Sequence, residues 1–216
     1  MSRRAALRVL SAALVCALCT TDVGAGEPAK FAGEMFPPEF STLDGSWGGL
    51  VGFDASLVRM GEAPIWKRGA NGDDAEIIRL FLQQTVGSQF VVTLRRSADG
   101  SARVVTKTRA YGPMVKQPGE VVTRSFPVDA RELQRLDAMI AKAALWKFYP
   151  GAWPLDPDSI CIGGIHMIME RAASEGHGFV HGNILCEVGR DGVAVVNQLL
   201  SIGHVENIGG IYVEKI

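Results

Sequence analysis

Cysteine and histidine are both scarce in this sequence, which contains four of each among 216 residues. Cys16 and Cys19 lie in an apolar N-terminal stretch, so only Cys161 and Cys186 remain for the rest of the chain. That part of the chain can therefore form at most one internal disulfide bond. After the N-terminal stretch, no apolar run reaches the roughly 20 residues that a membrane-spanning helix needs, so no transmembrane span is predicted.

The sequence also lacks the usual signatures of catalysis and of nucleic-acid binding. No Gly-x-Ser-x-Gly nucleophile elbow is present, and the glycine-rich residues 48–52 follow no predicted strand and open no predicted helix, as a phosphate loop would. The formal net charge is −1, and no basic stripe interleaved with aromatic residues occurs. We therefore predict no nucleic-acid partner and no cofactor, and we favour a protein without enzymatic activity.

The first 25 residues have the composition of an export signal. Three arginines within the first eight residues precede an apolar run, and small residues end the stretch at Ala25. We predict that residues 1–25 are a cleaved signal peptide and that the mature protein is periplasmic or secreted. The general secretory route is favoured over the twin-arginine route, because Ala6 stands where the twin-arginine pattern prefers Phe.

The rest of the chain divides into an arm and one domain. Residues 26–75 are rich in Gly and Pro without a sustained period, which predicts an irregular arm held to the body by its aromatic residues. Residues 76–216 are predicted to form a single α+β domain. Its sheet is largely antiparallel, built from two hairpins and additional strands, and is packed by one main helix and one shorter helix, because the strands occur in hairpins rather than in βαβ units.

The predicted elements follow from local signals. Residues 76–84 fit a strand or a short helix, and we favour a strand. Asp99-Gly100 is a turn signal between strands over 90–96 and 102–109, and Pro127 belongs at the end of a strand over 120–128. Asp129 and Glu132 have the form of a capping box that opens the main helix, which ends near Trp146. A shorter helix is predicted over 192–202, followed by a last strand over 208–216.

The hairpin over residues 160–188 contains both remaining cysteines and three of the four histidines. Its connection fits either a four-residue loop over 172–175 or a three-residue turn that uses Gly176. The four-residue loop is favoured, because it keeps the methionines and Val180 together on an apolar face. The opposite face then carries His166, Ile168, Glu170, His177, Phe179, His181 and Asn183, which we call the histidine-bearing face.

This register has two consequences for chemistry. It places Cys161 opposite Cys186, at a distance that a disulfide can span, and export to an oxidising compartment favours that bond. It also pairs His166 with His181 and Glu170 with His177.

The histidine-bearing face is expected to be exposed to solvent or to a partner, and it supplies the candidate site residues: His166, Glu170, His177, His181 and Asn183. His166 and Glu170 lie about 13 Å apart along an extended strand, too far to share one ion. His166 and His181 could therefore supply at most half of a metal site, and we predict none.

Two classes of function follow from this pattern. The first is a non-catalytic module that binds another envelope protein through an exposed sheet face. The second is a small metal-dependent enzyme or hydrolase that uses His166 and His181. The first is favoured, because no acid, base and nucleophile converge in the sequence.

The order of these elements resembles a family of small exported bacterial proteins of unassigned function. Its members have a hairpin, a strand, a helix with an aromatic pair at its end, a strand with a Trp-x-x-Glu motif and a partner strand with Tyr-His. Here Trp146 and Phe148 match the aromatic pair and Glu170 matches the motif glutamate, whereas Met167 replaces the tryptophan. The Arg and Pro that follow the second strand in the family are missing. The resemblance covers residues 76–203 and implies a fold rather than an activity.

Overall fold

The computed structural model describes residues 34–38, 49–67, 74–84, 87–111, 119–147, 151–152, 164–184 and 188–205. The predicted signal peptide, Cys161, Cys186 and the predicted last strand over residues 208–216 lie outside these ranges.

The described chain forms one mixed α and β structure around a seven-stranded sheet of order β4-β3-β2-β1-β6-β7-β5. All neighbouring strands are antiparallel except the two-residue β5, which pairs in parallel with β7. The α+β class predicted from the sequence is thus confirmed. In chain order the elements are α1 (Gly49–Arg59), β1 (Asp74–Gln84), β2 (Gly87–Ser97), β3 (Ala102–Tyr111), β4 (Val122–Pro127), α2 (Ala130–Ala143), β5 (Gly151–Ala152), β6 (Ile165–Ala173), β7 (Gly176–Asn183) and α3 (Arg190–Ile202).

One face of the sheet packs against α2 and α3. Side chains alternate between the two faces along each strand, so apolar residues of β1, β2, β3, β6 and β7 that point to this face form one core with the two helices. The buried strand residues of this core are Ile78, Leu80, Leu82, Phe90, Val92, Leu94, Val104, Ile165, Met167, Met169 and Val180.

The opposite face is covered by the N-terminal layer, a name used here for residues 34–38 and 49–67. Met35, Phe36 and Leu57 of this layer are buried against Phe81 and Phe179 of the sheet. The prediction of an irregular arm is therefore wrong for residues 49–59, which form α1. Its expected anchoring by aromatic residues holds for Phe36 and for the half-buried Phe53.

Helix α1 ends in a motif that needs glycine. Gly61 has a φ of 68°, in the left-handed region, and its N–H donates to the carbonyl of Val58. The N–H of Glu62 donates to the carbonyl of Leu57, which completes a Schellman motif and satisfies the last carbonyls of the helix. The chain is thereby turned back across the sheet towards β1.

Helix α2 begins as predicted. The Asp129 carboxylate accepts from the N–H of Arg131 at 2.6 Å, and the reciprocal bond from Asp129 N–H to Glu132 completes the capping box. The helix ends at Ala143 rather than near Trp146, because Ala144 turns into the left-handed region with a φ of 50°. Leu136 and Ala143 of this helix are buried, and Leu133 and Ile140 are half-buried against the same core.

Replacing Leu136 by alanine should lower the free energy of unfolding by about 2–5 kcal/mol, because its side chain is fully buried between α2 and the sheet. Urea denaturation measures the change. Arg135→Ala on the exposed side of the same helix is the matched control, expected within about 0.5 kcal/mol of the wild type. Equal stability of the two variants would contradict this packing.

The β6–β7 hairpin has a tighter turn than the sequence analysis favours. Ala173 pairs with Gly176, so Ser174 and Glu175 alone form the connection, and Gly176 adopts a φ of 135° that favours glycine. Both registers considered from the sequence are therefore wrong, and the favoured one is wrong by two residues. A shift of two keeps every side chain on its predicted face, which is why the apolar and histidine-bearing faces are still correctly assigned.

Candidate functional site

The histidine-bearing face is internal. Its seven residues are all buried or half-buried. The N-terminal layer packs against two of them, Ile168 and Phe179. The ring of Phe36 lies 5.6 Å from that of Phe179 in an edge-to-face contact, and the ring of Phe53 lies 6.0 Å from that of His166. The expectation that this face is exposed to solvent or to a partner is therefore wrong.

The observed register also changes the predicted histidine pairs. His166 lies opposite Asn183, and His181 lies opposite Ile168, so the predicted His166–His181 pair does not form. His177 is opposite Ala172, yet its Nε2 reaches diagonally to Oε1 of Glu170 at 3.2 Å. Within the described ranges, no group of three or more His, Cys, Asp or Glu side chains is placed to hold a metal ion.

A buried ion pair occupies the centre of this face. Arg79 on β1 lies directly opposite Glu170 on β6, and both residues are completely buried. Arg79 Nε donates to Glu170 Oε2 at 2.8 Å, and its Nη2 donates to the same oxygen. A charge this deep is costly unless it is paired and hydrogen-bonded, and here the guanidinium and the carboxylate satisfy each other.

The same ion pair fastens the N-terminal layer to the sheet. Arg79 Nη1 donates to the carbonyl of Ala63 at 2.6 Å and to Glu62 Oε2 at 3.3 Å. From β3, Lys107 Nζ reaches Glu62 Oε1 at 2.7 Å and the carbonyl of Gly61 at 2.9 Å. Two cations of the sheet thus hold one three-residue stretch of the layer, just after α1 ends.

Electrostatics keep Arg79 ionised in this setting. Burial by itself lowers the pKa of Arg79, but the attraction of Glu170 and Glu62, with their hydrogen bonds, outweighs burial and raises the pKa above its usual value. The guanidinium of Arg79 therefore stays charged although it is completely buried.

A second polar contact docks α1 itself. Gln89 Nε2 donates to Ser56 Oγ at 2.9 Å and to Gln83 Oε1 at 3.1 Å, which joins the helix to β1 and β2. Within the layer, the N–H of Met35 donates to Asp54 Oδ1 at 2.8 Å. These bonds and the ion pair position a covering layer.

The outer strand β4 presents a different kind of surface. In the described part of the chain its partner is β3, and five of its six residues are exposed. Val122 is 50% exposed. Between β4 and the end of α3 lies a small groove of about 160 Å³, lined in part by Thr106, Arg124 and His204. The His204 ring lies 4.4 Å from that of Phe126.

Basic side chains are concentrated on β3 and β4. Together the two strands contain Arg103, Lys107, Arg109 and Arg124 and no Asp or Glu. Lys107 is paired with Glu62, as described above. Arg103 donates to the Ser125 hydroxyl and Arg109 to the carbonyl of Gly119, and among the described residues no carboxylate pairs with either of them or with Arg124.

Sequence reasoning missed both Arg79 and the cationic strands. A single arginine inside the apolar run 77–82 is a signal that the strand buries a charge, since both faces of such a run are covered. The signal for β3 and β4 is the lack of acidic residues in two consecutive strands, which a count of charge per element would reveal.

Comparison of the chain with models of protein families finds no match, and a search of curated proteins also finds none. The resemblance to small exported bacterial proteins stays a prediction. No described helix is both long and apolar enough to cross a membrane.

The disulfide between Cys161 and Cys186 also stays a prediction, because both cysteines lie outside the described residues. The register from which it was derived is not the one observed over residues 166–183, so the prediction now rests on the expected oxidising compartment. We expect no free thiol in protein purified from an oxidising compartment, and two after reduction and unfolding. Thiol titration under denaturing conditions measures both. Two free thiols before reduction would contradict the bond.

Proposed function

We propose that the protein is an exported, non-catalytic binding module that recognises another envelope protein by strand addition along β4. The observation that carries the proposal is the outer edge of β4, where no described strand pairs with the backbone. A strand with one open side has N–H and C=O groups that an extended segment of another chain can satisfy.

The proposed binding surface is a sheet edge, in place of the sheet face expected from the sequence. Both faces of the central strands are used internally, by α2 and α3 on one side and by the N-terminal layer on the other. The alternative, a metal-dependent enzyme or hydrolase using His166 and His181, gains no support from this geometry. Those two histidines are not opposite each other and lie on the covered face.

Hydrogen exchange tests whether the edge is open. Successive amides of a strand point to opposite sides, so alternate β4 amides should exchange rapidly in the free protein while their neighbours are protected by β3. Protection of every β4 amide in the free protein would contradict the proposal, because the edge would then already be covered.

Proline variants test whether the edge binds a partner. Neighbouring N–H groups of a strand point to opposite sides, so of the two substitutions Val122→Pro and Thr123→Pro only one removes an N–H on the open edge of β4. That substitution leaves the hydrogen bonds between β4 and β3 intact. We expect that variant to keep the native melting temperature and to lose a protein that the wild type captures from periplasmic extract. The captured protein should also slow exchange of the outward β4 amides in the wild type.

The matched control is Ala130→Pro, at the first position of α2, where proline is tolerated. This variant should capture the same protein as the wild type. Equal capture by the outward proline variant, or capture without protection of β4, would contradict strand addition.

A further inference from the structure

We infer that the segment bound at β4 is an acidic extended peptide whose carboxylates lie on one face and whose apolar side chains lie on the other. This inference rests on the strand addition proposed above and adds the chemistry of the partner. It is carried by the arginines of β3 and β4 that have no carboxylate partner among the described residues.

The register of β3 and β4 sets where the charges stand. Arg103 lies opposite Pro127, and Lys107 lies opposite Thr123, so Arg103, Lys107 and Arg109 share the sheet face that bears the N-terminal layer. Strands are about 4.8 Å apart, and an extended arginine side chain on β3 can therefore lean over β4 towards an added strand. The bond from Arg103 to the Ser125 hydroxyl on β4 already has this direction.

The other side of β4 has a different character. Val122 and Phe126 flank Arg124 there, and Val122 is half exposed. An added strand would thus meet cations on one face and mostly apolar groups on the other. Since side chains alternate along a strand, the sequence that fits alternates acidic and apolar residues.

The arginine side chains of β3 and β4 are accessible to a partner. Arg103 and Arg124 are exposed, and Arg109 is half-buried with a carbonyl as its bonding partner. By contrast Lys107 is already neutralised by Glu62 and contributes less to binding. Attraction between exposed charges is screened over about 8 Å at physiological salt, so the affinity should fall as salt rises.

The test uses three synthetic twelve-residue probes that alternate Val with Glu, Val with Gln or Val with Lys. We expect the Val-Glu peptide to bind at least about tenfold more tightly than the Val-Gln peptide, and the Val-Lys peptide to bind least. Arg103→Gln and Arg109→Gln should each weaken Val-Glu binding several-fold and leave Val-Gln binding unchanged. Arg135→Gln, on the exposed side of α2, is the matched control and should change neither.

The outcomes separate the two proposals. Equal binding of Val-Glu and Val-Gln peptides, with protection of outward β4 amides in both complexes, would overturn the acidic partner and leave strand addition standing. Binding of the Val-Glu peptide without protection of β4 would overturn both. Two further probes are a twelve-residue oligothymidylate and phosphatidylglycerol vesicles. If either binds as tightly as the Val-Glu peptide through the same arginines, the inference is overturned, since the surface would then bind negative charge in general and not an added strand.

Discussion

Replacing Arg79 by methionine should lower the free energy of unfolding by about 3–5 kcal/mol, one of the two largest effects that we expect. The substitution keeps an unbranched side chain of similar length but leaves the completely buried Glu170 without its main partner. It also removes the bonds that hold Glu62 and Ala63 of the N-terminal layer. Chemical denaturation followed by tryptophan fluorescence measures the change.

Two further variants show whether the cost comes from an unpaired charge. Arg79→Met combined with Glu170→Met removes both members of the pair and should recover much of the loss, since a well-packed apolar pair can replace a buried ion pair. Lys142→Met breaks the exposed ion pair with Asp191 and should cost less than about 1 kcal/mol. An Arg79→Met cost as small as that of Lys142→Met would contradict the burial of the pair.

The parts of the fold that the sequence predicts well are those with local signals. The Asp99-Gly100 turn and the capping box at Asp129 each depend on residues within four positions, and both are present in the structure. Residues 76–84, which fit a strand or a helix, lie in β1, as favoured. Local signals thus located most elements of the sheet and both helices that cover its first face.

Helix α1 was missed although its pattern is in the sequence. Phe53, Leu57 and Met60 recur at helical spacing, and Gly61 follows as a C-terminal stop. The glycines at 48, 49 and 52 outweighed that pattern, because glycine is unfavourable inside a helix. Burial of the apolar side of α1 on the sheet stabilises the helix in spite of its composition.

The ion pair could not be predicted because it depends on strand order. Arg79 and Glu170 are 91 positions apart, and they meet only because β1 pairs with β6. A single sequence shows which segments are strands but not which strands are neighbours. The register of the β6–β7 hairpin failed for a different reason: the connection between the strands permits several loop lengths, and the alternation of faces cannot distinguish registers that differ by two.

Replacing Phe81 by alanine should cost about 3–5 kcal/mol and should loosen the N-terminal layer before the rest of the protein. Phe81 is completely buried beneath α1, and its ring meets that of Phe53 edge-to-face at 5.8 Å. The cavity would remove apolar support from the layer, while the core between the sheet and α2 stays intact. Hydrogen exchange of the α1 amides, measured with the unfolding free energy, reports both effects.

Leu136→Ala is the matched comparison for Phe81→Ala, because it makes a cavity on the opposite face of the sheet. It should destabilise the whole protein without a selective increase in α1 exchange. Since the two cavities have no shared contacts, their costs should add in the double variant to within about 0.5 kcal/mol. If α1 exchanges equally fast in both single variants, the N-terminal layer opens only with global unfolding, and its separate attachment through Phe81 and the Arg79 ion pair would be contradicted.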